Sequence, residues 1–198
     1  MTDKPWLLID IDGVLNPLGE PLERPGFTAH EITDERGKTF LLRLNPEHGD
    51  WLLGLTDVFD LAWCTTWWEV VDERIASLVG LPTGLPAVPL PRPTREWKHR
   101  VDYKAPHVRR FAAGRSVAWI DDDLSWLEND YRLLRDSWHG LTEGVPPVED
   151  ALLFQANPFV GLVPWHIEEA RAWAEGGASR SSTGHDDTDV LPDIVDGL

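Results

Sequence analysis

Near the start of the chain an apolar run closes on two carboxylates one residue apart, Leu7-Leu8-Ile9-Asp10-Ile11-Asp12, and continues as Gly13-Val14-Leu15-Asn16. In an extended backbone the side chains alternate, so Asp10 and Asp12 project to the same side and bring like charges within a few ångströms. A divalent cation is the simplest group that neutralises such a pair. Gly13 permits the sharp exit from a strand and leaves room for a ligand near the backbone. Three more polar positions follow apolar segments: Thr65, Lys104 and the run Asp121-Asp122-Asp123. Together they supply a carboxylate nucleophile, a second carboxylate, a hydroxyl, a cation and acidic metal ligands, which are the parts of phosphoryl transfer.

Such residues converge only if the elements before them lie side by side. Buried strands are predicted at 7–11, 58–63, 87–90, 116–120 and 151–154, and helices at 46–55, 67–79, 104–113, 124–134 and 164–174. Alternating strands and helices predict an α/β fold, a mostly parallel sheet covered on both faces. In an open parallel sheet the carboxyl ends of the strands share one crevice, so residues far apart in sequence meet there. Residues 27–44 read as a β-hairpin with its turn around Asp34 to Lys38. From Gly176 onward glycine, serine and aspartate dominate, and residues 176–198 are expected to form a disordered acidic tail behind one domain spanning 1–175.

Composition narrows the classes. The net charge of -16 disfavours general binding to nucleic acid or anionic membranes, which takes a basic surface. Within this acidic chain, Arg92, Arg95, Lys98, Arg100, Lys104, Arg109, Arg110 and Arg115 face only Glu96 and Asp102 in sequence, a segment suited to focusing an anionic substrate or to lining a solvated helix face. No apolar run approaches the ~20 residues of a membrane span, and the N-terminus lacks the pattern of a secretory signal. The single cysteine, Cys64, excludes an internal disulfide, and a cytoplasmic setting is the expectation. As a rival nucleophile Cys64 lacks the arginine six residues on that a cysteine phosphatase needs; that position is Val70. Glycine-rich phosphate loops and histidine-glutamate zinc patterns are absent as well. The 11 tryptophans fall mostly within apolar periodic segments and read as packing.

The stretch Asp10-Ile11-Asp12-Gly13-Val14-Leu15-Asn16 resembles the first motif of the haloacid dehalogenase superfamily. Thr65 resembles its second motif, Lys104 its third and Asp121-Asp122 its fourth, and the resemblance covers about residues 5–175. It implies a three-layer Rossmann-like fold and a Mg2+-dependent phosphatase acting through an aspartyl-phosphate. Carried over, Asp10 is the nucleophile and Asp12 the acid-base that protonates the leaving oxygen and then activates water. An acid at the Asp12 position favours phosphate over halide chemistry. Thr65 holds a phosphate oxygen and Lys104 offsets charge. Asp10, Asp121 and Asp122 hold Mg2+ together with Asp12, through its backbone carbonyl. Thr66 is the alternative to Thr65, and Asp123 either joins the metal site or caps the helix at Leu124.

Family members often carry a cap domain between the first two motifs. Here the intervening residues are spent on the hairpin, expected as a small flap, and one short helix, so no large cap is expected. An open site admits a phosphorylated substrate of either kind, a small molecule or a macromolecular end such as a nucleic-acid terminus. A phosphotransferase using the same residues, or a binding domain that keeps the fold without catalysis, are the competing readings.

Overall fold

The computed structural model describes residues 4–19, 23–34, 36–92, 104–124, 134 and 142–176. Four parallel strands form the central sheet: β1 (Trp6–Ile9), β4 (Asp60–Trp63), β5 (Val117–Asp121) and β6 (Ala151–Gln155), in the order β4-β1-β5-β6. The two inner strands read as continuous apolar runs because both of their faces are covered: Leu7, Leu8 and Ile9 are wholly buried, and every residue of β5 is buried. Alternation divides β1 between two cores. Leu7 and Ile9 join one with Phe59, Ile75 and Ala170, while Leu8 joins the other with Ala105, Val108 and Trp119.

The first core lies under α1 (Glu47–Leu53) and α3 (Pro164–Ala174), the second under α2 (Ala105–Ala112). Pro106 sits in the first turn of α2 and Pro164 opens α3, positions where a missing N–H breaks no helical hydrogen bond. At the start of α3 the imidazole Nδ1 of His166 accepts the Val163 N–H at 3.1 Å, which satisfies a donor at the helix entry. Chain order places β4 on one side of β1 and β5 on the other, so the direction of strand addition reverses at β1. Ligands of open parallel sheets bind at the carboxyl end of such a reversal, and Asp10 lies there.

A separate antiparallel hairpin, β2 (Thr28–Thr33) with β3 (Thr39–Leu44), occupies the predicted flap segment. Its turn is organised by Asp34, whose Oδ1 accepts the backbone N–H groups of Arg36 and Lys38 at 2.9 and 2.8 Å. Among the described residues, the connection between Asp12 and β4 forms this hairpin and the short helix α1.

Three expectations are corrected. The first strand stops at Ile9, and the backbone N–H groups of Leu15 and Asn16 fold back onto the Ile11 carbonyl, so strand alternation does not place Asp12. Residues 67–79 are no continuous α-helix. The chain turns at Trp68, where φ is 44°, then winds as a π turn (Val71–Ile75) and a 3-10 turn (Ala76–Val79) ending at Gly80 with φ 78°. The turn aims the two indoles apart: the Trp68 N–H reaches the Leu90 carbonyl at 2.9 Å, while Trp67 serves Asp12. The candidate strand at 87–90 is reduced to one bridge between Trp63 and Ala87, because Pro86, Pro89 and Pro91 supply no N–H to extend a ladder. Of the predicted helix at 124–134 only Leu124 and Leu134 are described, both buried, and the expected tail at 176–198 lies outside the described residues but for Gly176.

Candidate active site

Parallel register carries the chemistry to one level. Ile9 pairs with Trp63 on one side and Ile120 on the other, so Asp10, Cys64 and Asp121 follow the strands together. The Asp10 N–H donates to the Ile120 carbonyl at 3.2 Å and the Cys64 N–H to the Ile9 carbonyl at 2.8 Å, which locks the three strand ends. Lys104, just before α2, comes from the side. Its ammonium donates to Asp10 Oδ2 and, at 2.6 Å, to Asp121 Oδ2, and so bridges two strands. Asp10 also accepts the Ile11 N–H on Oδ1 at 2.7 Å.

All of this is buried. Asp10 is 7% exposed, Lys104 9% and Asp121 0%. Burial pulls the ammonium of Lys104 toward neutrality, but Asp10 and Asp121 outweigh it and hold its pKa well above the ordinary lysine value. Complete burial pushes the Asp121 carboxyl up to about 7, against the pull of Lys104. Its oxygens also accept the Trp119 indole N–H at 3.2 Å and the Asp123 N–H at 3.1 Å. Burial, with the charge of Asp10 second, pushes Asp122 up to about 6.

Asp10, Asp121 and Asp122 each present a carboxylate oxygen within 4.8 Å of the others. Asp123 is not in this group, and neither is the Asp12 carboxylate. Fully ionised, three carboxylates and one ammonium leave two negative charges, the deficit a divalent cation fills. An all-oxygen donor set suits a hard cation. Gly13 has its own part in the arrangement: at φ 71° a Cβ there would lie 2.3 Å from the Asp122 carboxyl carbon. The space expected for a ligand beside Gly13 is thus taken by the Asp122 side chain.

Asp12 stands apart from the ion cluster. Its Oδ1 accepts the Asn16 amide at 2.8 Å and its Oδ2 the Trp67 indole N–H at 3.0 Å. Burial raises its pKa above the ordinary carboxylate value, the two donors oppose this, and the charge of Asp10 adds to it. Asn16 also accepts the Arg43 N–H of β3 at 2.9 Å, and the Phe40 ring of β3 meets Trp67 edge-on at 5.2 Å. The hairpin is therefore tied to Asp12 by both of its donors. Neither partner carried a role in the sequence reading. Asn16 lay inside the quoted motif, but nothing in spacing reveals an amide that serves two elements, and Trp67 read as helix packing.

Thr65 is 5% exposed, and its hydroxyl has no hydrogen-bond partner among the described residues. Thr66, in contrast, is exposed and lines an adjoining cleft. Burial pushes the Cys64 thiol well above its ordinary value, which keeps it protonated and removes it as a nucleophile.

The basic segment divides. Arg109 is buried and donates to the Val145 carbonyl at 2.7 Å, and Arg115 binds Asp60 at 2.6 Å and stacks over Trp6. Both are structural, so they do not form part of an anion-focusing face. Arg95, Lys98 and Arg100 lie outside the described residues, and no helix among the described residues is long and apolar enough to cross a membrane. A scan of protein-family models, curated proteins and solved structures finds no match to the chain. What the geometry itself defines is an α/β protein with a buried carboxylate-lysine cluster at the carboxyl end of a parallel sheet.

Proposed function

We propose that the protein is a Mg2+-dependent phosphatase with a Rossmann-like fold of the haloacid dehalogenase type, hydrolysing a phosphomonoester through an aspartyl-phosphate on Asp10. The observation that carries this reading is the buried cluster in which Lys104 bridges Asp10 and Asp121 with Asp122 alongside. Such a concentration of charge is costly to bury and adds little to stability by itself, so a catalytic use is the better account.

In the first step a free lone pair on an Asp10 carboxylate oxygen attacks phosphorus. The bond to the leaving oxygen breaks, and Asp12 gives that oxygen its proton. In the second step Asp12 takes a proton from water, the hydroxyl oxygen bonds to phosphorus, and the bond to Asp10 breaks to release phosphate. Asn16 and Trp67 hold the Asp12 carboxyl in one orientation, and burial raises its pKa, the direction that helps a group deliver a proton. Lys104 offsets the charge of Asp10 and of the arriving phosphate. Thr65, buried two residues after β4, would donate its hydroxyl to a phosphoryl oxygen. Mg2+, held by Asp10, Asp121 and Asp122, would supply the remaining positive charge that phosphoryl transfer requires.

The test is hydrolysis of 4-nitrophenyl phosphate with and without Mg2+. Asp10→Asn and Asp12→Asn are each expected to lower kcat by at least about a thousandfold, the scale of losing a nucleophile or its acid. Wild-type rates in both variants would falsify the assignment.

A further inference from the structure

Resting on the phosphatase reading of this site, we propose that the cleft beside Asp12 takes the leaving group of the substrate and that this group carries a single planar aromatic ring. Of the site residues Asp10, Asp12, Thr65, Lys104, Asp121 and Asp122, only Asp12 lines the cleft. The cleft therefore lies on the side of the residue that protonates the leaving oxygen, away from the carboxylates gathered around Lys104.

Its walls set three aromatic side chains among the polar and charged Asp34, Arg36, Thr66 and Arg92. Phe40 comes from the hairpin strand β3, Trp67 and Trp68 from the turn after β4, and Val70 adds an aliphatic surface. Phe40 and Trp67 meet edge-on at 5.2 Å, and the Arg92 guanidinium lies over the Trp68 ring at 5.1 Å, adding a second planar surface at the wall. The wall residue Trp67 is also the one that donates to Asp12 at 3.0 Å, so ring binding and acid placement share a side chain.

The volume admits one ring. The cleft holds about 210 Å³ and is partly open to solvent, a volume below the roughly 300 Å³ at which pockets for drug-sized ligands begin. A dry cavity of about 150 Å³ suffices for benzene, so one substituted ring is the fitting occupant. An alkyl alcohol would leave the aromatic faces unpaired.

Binding of phenyl phosphate and of propyl phosphate to the full chain carrying Asp10→Asn, with Mg2+ present, tests this by calorimetry. Phenyl phosphate is expected to bind about tenfold more tightly, Phe40→Leu to cut the preference severalfold, and Phe40→Tyr to retain it. Equal affinity for the two esters in the unaltered cleft overturns the proposal, and so does a full preference surviving in Phe40→Leu. Because affinity is read without turnover, a protein that prefers phenyl phosphate while the wild type hydrolyses neither ester keeps the cleft and loses the phosphatase. A wild type that hydrolyses both, paired with equal affinities, does the reverse.

Discussion

Replacing Lys104 with methionine removes the one ammonium that the structure places between Asp10 and Asp121, while nearly preserving side-chain length. At the 2.6 Å separation from Asp121, the gross attraction of one such pair is roughly 6 kcal/mol at an effective dielectric near 20. Most of that is offset by the desolvation of the charges, but the variant keeps the cost and loses the attraction. Breaking a buried pair in this way typically destabilises by about 3–5 kcal/mol. That is a large part of the about 5–15 kcal/mol that holds a domain together. With a urea slope of about 2 kcal/mol/M, the unfolding midpoint of the metal-free variant is expected to fall by roughly 1.5–2.5 M at pH 8.

The pH dependence separates charge from packing. Asp121 is already pushed up to about 7 with the ammonium in place, so its pKa lies higher still without it. A carboxyl whose folded pKa is raised above its unfolded value destabilises fully above the folded pKa, and the penalty lifts as pH falls toward the unfolded value. The gap between wild type and Lys104→Met is therefore expected to narrow from pH 8 to pH 5 by up to about 1.4 kcal/mol, the equivalent of the one pKa unit between about 7 and pH 8. Urea unfolding followed by tryptophan fluorescence at both pH values measures it. A loss of equal size at pH 8 and pH 5 would show that Lys104 acts through packing, and the electrostatic account of the cluster would fail.

Two further outcomes follow from the same geometry. Metal binding must displace protons from Asp121, near 7, and Asp122, near 6, so Mg2+ affinity is expected to weaken about a thousandfold between pH 8 and pH 5, a factor of about ten per proton and pH unit; calorimetric titration checks this, and a pH-independent affinity contradicts it. Gly13→Ala combines a left-handed backbone cost of about 1–2 kcal/mol with a collision against Asp122, whereas Gly37→Ala, at φ 77° with nothing within 4 Å, incurs only the backbone cost. Mg2+ affinity is expected to fall at least about tenfold in the first and to hold in the second, so equal affinity in both would remove Gly13 from the site.

The sheet was legible in the sequence because its central strands are buried on both faces and read as uninterrupted apolar runs, each ending in a polar residue at the crevice. That recurrence named Asp10, Lys104, Asp121 and Asp122 as neighbours, and the structure brings them together. The hairpin was equally legible, since Asp34 and Gly37 punctuate two alternating segments. The segment after Thr65 was not, because apolar spacing cannot report that one tryptophan adopts φ 44° to send the neighbouring indole to a carboxylate.

By itself, then, the order of residues determined which charges exist and which strand ends carry them, since burial pattern and strand direction are local properties of the chain. Only tertiary structure decided how those charges are shared. Asp10 and Asp12, two residues apart, are divided between a lysine from the start of α2 and an asparagine and an indole tied to the hairpin, because hydrogen bonding depends on distance in space.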